Sequence, residues 1–207
     1  MADSTSQIKD KLATYLENAY GMENSIAETL EKQVKETSRY PDVQARIQRH
    51  LDETKTHRTR MEERLKAYSK SPSGIKGALT NVLGNIQGAM SSVRSDELAM
   101  MARDDYAVEH VEIATYGMII GLAELVGDRE TIQASELNLR DEISMAAWLE
   151  NHIGEATVLT LQSQNIDLPP QAVASVQQTI QLAMTSARSA AGIQPTQESQ
   201  PSTTPQI

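Results

Sequence analysis

The chain has 207 residues, no Cys, no Phe, one Trp and a formal net charge of −9. That length supports one domain with a sizeable core plus an appendage, and the lack of Cys excludes a disulfide framework, thiolate metal sites and a Cys nucleophile. The acidic balance, without any block of Lys or Arg, argues against nucleic acid and membrane surfaces as partners.

Chain breakers divide the sequence into four long predicted helices, at about 7–38, 42–69, 95–126 and 128–154. Before the first, Met1-Ala2-Asp3-Ser4-Thr5 lacks the basic and apolar run of a signal peptide, and no stretch approaches transmembrane length. A cytoplasmic protein is expected. Tyr40-Pro41-Asp42 ends the first helix and offers Asp42 as N-cap of the second. Ser71-Pro72-Ser73-Gly74 stops the second helix. The segment from Ser71 to Arg94 carries Ile75, Leu79, Val82, Leu83, Ile86 and Met90 at roughly helical spacing, which predicts a short crossover helix. Gly127-Asp128 reads as a C′ glycine followed at once by an N-cap.

Tight links within each pair of helices and a long link between the pairs predict two antiparallel hairpins joined by a crossover. The fold class is therefore all-α, a ferritin-like four-helix bundle over 1–155. An additional helix and linker are expected over 156–193, with Val173, Val176, Ile180 and Met184 on one side of the helix. The Pro/Gln/Ser/Thr-rich residues 194–207 are expected to form a disordered tail, a place for solvation, tethering or contact with a protein partner.

Each helix carries an acid within its apolar stripe. Thirty residues separate Glu23 from Glu53 and also Glu112 from Glu142, so a single shift carries the first pair onto the second. Glu23 falls among Leu16, Ala19, Ile26 and Leu30; Glu112 follows Glu109 and precedes Tyr116 and Ile119; Glu142 lies between Leu139 and Ala146. In the second helix, Ile47 and Met61 bracket His50, Glu53 and His57, which can share one face. Buried carboxylates are costly unless paired, protonated or bound to metal. Seven residues, Glu23, His50, Glu53, His57, Glu109, Glu112 and Glu142, are thus candidate metal ligands. This oxygen-rich set suits iron or manganese, with room for a dinuclear centre. Tyr20 and Tyr116 read as core tyrosines able to donate to these acids, His110 as a surface or interhelical hydrogen-bonding residue, and His152 as a cation at a helix C-terminus. Gly117 and Gly121 read as sites of close helix packing and Trp148 as a packing residue.

Tyr20-Gly-Met-Glu23, His50-Leu-Asp-Glu53-Thr54 and especially Val108-Glu-His-Val-Glu-Ile-Ala-Thr-Tyr116-Gly117 resemble the YciE/YciF-type ferritin-like stress proteins, over about residues 7–155. The resemblance implies a four-helix bundle, often dimeric, a carboxylate-rich metal site and an association with bacterial stress. By it, Glu23, Glu53, Glu112 and Glu142 match the family's acids, Glu109 its extra acid and His50 its histidine, while His57 stands where Gln or His is accepted. One departure is Ala146, where the family tends to place an Asp; the shift that relates the two halves carries His57 onto it. The Glu-x-x-His motif of ferritins and rubrerythrins is absent from the second and fourth helices.

Two functions follow from these residues together with the resemblance, which alone implies the link to stress. One is a di-metal carboxylate protein that handles iron, dioxygen or peroxide in a bacterial stress response, with peroxide dismutation as a related enzyme reading. The alternative is a structural stress-response homodimer or adaptor whose metal site is vestigial.

Overall fold

The computed structural model describes residues 4–71 and 98–193. The expected crossover helix, the start of the third predicted helix and the tail from Gln194 lie outside the described residues. Among the described residues there are five helices and no strand: α1 Ser4–Glu36, α2 Pro41–Ala67, α3 Leu98–Val126, α4 Arg129–Ser163 and α5 Ala172–Ala190. The chain divides into two compact units, Met1–Glu150 and Asn151–Ile207. No described helix is long and apolar enough to cross a membrane.

The helix ends follow local chemistry, with a change from expectation at the start of α2. Pro41 itself opens α2, and Asp42 sits in the first turn instead of capping it. Proline's fixed φ suits the first helical position, and an acid there favours the helix dipole. α2 closes on Ser69, at φ 55, with Lys70 N donating to the Leu65 carbonyl at 3.1 Å. Gly127, at φ 73, ends α3 in a Schellman turn: Gly127 N donates to the Glu124 carbonyl and Asp128 N to the Ala123 carbonyl. Asp128 then caps α4 by accepting from Thr131 N at 3.0 Å. The same carboxylate accepts from Tyr68 Oη at 2.7 Å and from Arg64 Nη2 at 3.2 Å, which binds the end of α2 to the start of α4.

Side-chain bridges set the directions of the four long helices. Arg58 donates to Asn24 at 3.0 Å and Lys55 pairs with Glu31 at 2.9 Å, so α2 runs antiparallel to α1. Gln33 donates to Asp105 at 2.7 Å and Thr115 contacts the Met22 sulfur at 3.8 Å, so α3 also opposes α1. Tyr106 meets Glu150 at 3.2 Å and Asn138 meets Tyr116 at 2.9 Å, so α4 opposes α3. It follows that α2 and α3 run parallel, as in a ferritin-like bundle of two hairpins.

Two apolar layers bracket the middle of this bundle. One holds Leu12, Leu16, Ala19, Met61, Leu65, Tyr116, Ile119 and Ala123. The other holds Met22, Ile26, Ala27, Leu30, Ile47 and Leu51. Each buried Leu or Ile contributes about 1.5–3 kcal/mol, enough in sum to carry a polar layer between them.

In the second unit, α4 continues past the expected end near residue 154 to Ser163, because Gly154 is followed by strong helix formers and the first left-handed residue is Asn165, at φ 60. His152 therefore lies inside a helix, not at its C-terminus. A Cβ at Gly154 would lie 2.9 Å from the Gln177 backbone, so glycine here permits α5 to approach closely. Gly117 and Gly121 differ from expectation: a Cβ on either meets nothing within 4 Å, so neither serves helix packing among the described residues.

Candidate metal centre

The polar layer is built from one or two residues of each long helix. Ligand atoms of His50, Glu109, Glu112 and Glu142 lie within 4.8 Å of one another, as do those of Glu23, His57 and Glu142. Glu142 belongs to both groups. All six residues are buried. His50 Nε2 lies 3.1 Å from Glu109 Oε1 and 3.7 Å from Glu142 Oε2. His57 Nδ1 lies 2.8 Å from Glu142 Oε1 and 3.6 Å from Glu23 Oε2.

Glu53 is placed differently. It is absent from both donor groups, its side chain is 28% exposed, and its Oε2 lies 3.2 Å from His50 Nδ1 and 3.3 Å from Arg46 Nη1. Three of the four acids singled out by their spacing therefore converge, and the fourth stands behind a histidine. Arg46 also stacks over Trp148, 6.0 Å from the ring centroid, which holds the guanidinium beside Glu53.

A second layer supports the first. Asp141 Oδ2 faces His57 Nε2 at 3.2 Å. Tyr116 donates to Glu23 Oε1, Asn138 donates to the Tyr116 hydroxyl at 2.9 Å, and Arg60 donates to Asn138 at 2.8 Å. Tyr116 is thus more than the ordinary core tyrosine expected, while Tyr20 packs against the apolar layer as a core tyrosine does. His110 is exposed and bonded to the Tyr106 carbonyl at 2.8 Å. Asp141, Asn138 and Arg60 were not apparent in the sequence, because their pairings join helices far apart in the chain. Gln33, a polar residue in the apolar stripe of α1, did carry a visible signal.

Electrostatics show what this layer lacks. Burial pushes the Glu112 carboxyl well above its usual range, and Glu142, Glu23, Glu109 and Asp105 push it the same way. Burial raises Glu109 to about 8 despite the attraction of His50, and raises Glu23 despite His57. Burial opposes charge on His57, yet Glu142 and Glu23 beside it lift it to about 10. Burial raises Asp105 to about 6 despite its bond from Gln33. The centre therefore holds shared protons where it lacks other positive charge.

Both oxygens of Glu112, both of Glu142, one each of Glu23 and Glu109, His50 Nε2 and His57 Nδ1 are buried without a hydrogen-bond partner. Such orphans are rare in folded proteins. The short distances from His50 Nε2 and His57 Nδ1 to these glutamates are close approaches not aligned as hydrogen bonds. Converging carboxylate oxygens and imidazole nitrogens are donors that fit a divalent cation, so the cluster can hold a metal ion.

Fold and site together define a ferritin-like helical bundle with a buried carboxylate–histidine centre. A family described as a domain of unknown function, DUF892, matches residues 7–162. The chain belongs to this family. A structure from Xanthomonas campestris is 28% identical, with a TM-score of 0.65, over 77% of this chain and 99% of that one. The E. coli stress protein YciF is 23% identical, with a TM-score of 0.64, over 76% of this chain and 99% of its own. YcfI of Rhodopseudomonas palustris, described as a candidate structural protein, is 22% identical, with a TM-score of 0.59, over 72% of this chain and 96% of its own.

Proposed function

We propose that this chain is a metal-binding carboxylate protein, taking iron or manganese and handling dioxygen or peroxide under stress. The observation that carries this reading is the set of orphaned ligand atoms, above all the two oxygens of Glu112, whose burial is costly without a cation. His50, Glu109, Glu112 and Glu142 would hold one ion, and Glu23, His57 and Glu142 a second, with Glu142 between them. A bound iron or manganese ion would supply redox chemistry toward dioxygen or peroxide. The chain's own part is to exclude bulk water with its two apolar layers, to orient His57 through Asp141, and to keep a proton between Tyr116 and Glu23. Metal analysis of anaerobically purified protein, followed by oxygen and peroxide consumption assays, tests this. Metal-free protein that takes up neither Fe²⁺ nor Mn²⁺ would overturn it.

A second reading is favoured by Ala146, a buried apolar residue where the internal relation of the two halves would place a partner for His57. In it the bundle is a structural homodimer or adaptor. Met118 and Leu125 on α3 and Ile143 on α4 are exposed apolar side chains that a second copy would cover. Sedimentation at equilibrium and the metal content of the same sample separate the two readings.

A further inference from the structure

Three acids stand around the buried donor groups, and they differ in what neutralises them. Glu53 is paired with Arg46 at 3.3 Å. Asp141 has His57 at 3.2 Å, Arg140 at 3.6 Å and Arg60 at 3.9 Å. Asp105 is bonded among the described residues only to the neutral amide of Gln33, at 2.7 Å.

Asp105 precedes Glu109 by one helical turn and Glu112 by two, so the three acids form one row along α3. Burial deepens along that row: Asp105 is partly exposed, while Glu109 and Glu112 are buried. Across from Asp105, the Gln33 side chain is 7% exposed and its Oε1 has no hydrogen-bond partner. A half-turn of the amide exchanges its oxygen and nitrogen, and would set Oε1 beside the Asp105 carboxylate. Carboxylate and amide oxygens together are donors that a hard divalent cation accepts.

We propose that Asp105 and Gln33 form a loading station, where a divalent cation is captured from solvent before passing along Glu109 and Glu112 into the buried centre. This rests on the metal-centre reading above. At Glu53 and Asp141 an incoming cation meets arginine, whose like charge opposes it. Asp105 has no arginine or lysine paired with it among the described residues, and its negative charge can steer the ion inward toward His50 and the glutamates. Two donors hold an ion less firmly than the three glutamates and histidine below, so the ion moves on.

The test follows Co²⁺ uptake by metal-free, full-length protein in a stopped-flow instrument, using the d–d absorption of the bound ion. Asp105→Asn should slow uptake about tenfold and flatten its dependence on ionic strength, with equilibrium occupancy unchanged. Asp104→Asn removes the same charge one residue away, from a side chain already paired with Arg103, and should leave the rate unchanged. Gln33→Leu, on a different helix, should also slow uptake, and it keeps the test open if the Asp105 variant misfolds. Uptake by Asp105→Asn at the wild-type rate would overturn the proposal, as would a lower equilibrium occupancy, which would make Asp105 a resident ligand. Wild-type protein that takes up no Co²⁺ would remove the metal centre itself, a failure distinct from normal loading by the variant.

Discussion

Asp141 Oδ2 lies 3.2 Å from Nε2 of His57, on the opposite side of the ring from the buried carboxylates. A carboxylate behind a ligating histidine fixes the ring and raises its basicity. Asp141→Ala should therefore weaken metal affinity by about 10–100-fold, measured by competition with a chelator. Unchanged affinity would show that His57 does not ligate.

Glu112 should give opposite signs with and without metal. Its two oxygens are buried and unpartnered, with three other buried acids raising its proton affinity. Glu112→Leu should stabilise metal-free protein by about 1–3 kcal/mol, by removing an unsatisfied polar group. The same variant should lose the metal-dependent rise in melting temperature. Calorimetry with chelator and with Mn²⁺ checks both halves.

Metal uptake should release protons. Burial pushes the Glu112 carboxyl well above its usual range, Glu109 is raised to about 8, and the neighbouring acids lift His57 to about 10. A cation must displace these protons, so affinity rises with pH through the neutral range. At saturation of 100 times Kd, the ion should add about 2.7 kcal/mol of stability. A pH-indicator titration during metal addition measures the proton release directly.

The Asp128 cap should make its own contribution to stability, with a defined pH dependence. Burial works against its charge, but bonds from Thr131 and Tyr68 and the Arg64 guanidinium hold its carboxyl below the usual range. Its stabilisation is therefore full above the unfolded value of about 3.9 and is lost as pH falls through the lower folded value. Asp128→Ala should cost about 0.5–2 kcal/mol at neutral pH. The gap from wild type should narrow in acid below pH ~4, as urea melts across that range would show.

Ala146→Asp separates the two functional readings. Ala146 is buried one turn beyond Glu142. If the centre takes metal, the added carboxylate should raise occupancy, and saturating Mn²⁺ should stabilise the variant. If the bundle is only structural, the buried charge should destabilise it by roughly 1–3 kcal/mol with or without metal.

Periodicity and the repeated spacing of Glu23, Glu53, Glu112 and Glu142 found the polar layer, because acids stand there in stripes that are mostly apolar. The junction at Gly127 and Asp128 was also legible, because turn chemistry is local. Periodicity could not place Glu53. At 100° per residue, Glu53 sits roughly 60° around α2 from His50, at the margin of the inward sector. Arg46, two turns earlier on the same side, draws its carboxylate outward. Asp141 was hidden for a related reason. It lies beside Glu142 in sequence, and only the register between α2 and α4 brings it to His57. The length of α4 escaped because glycine inside a helix and glycine at its end look alike in sequence.

Glu142 is a member of both donor groups. Its position makes the two groups one thermodynamic system. An ion in one group would redistribute the electron density and proton load of a carboxylate that the other group also offers, so the affinity of each group would depend on whether the other is filled. By linkage, that dependence is reciprocal and has a single magnitude. A binding isotherm should consequently depart from two independent sites, and the departure should collapse when Glu142 is replaced by Gln.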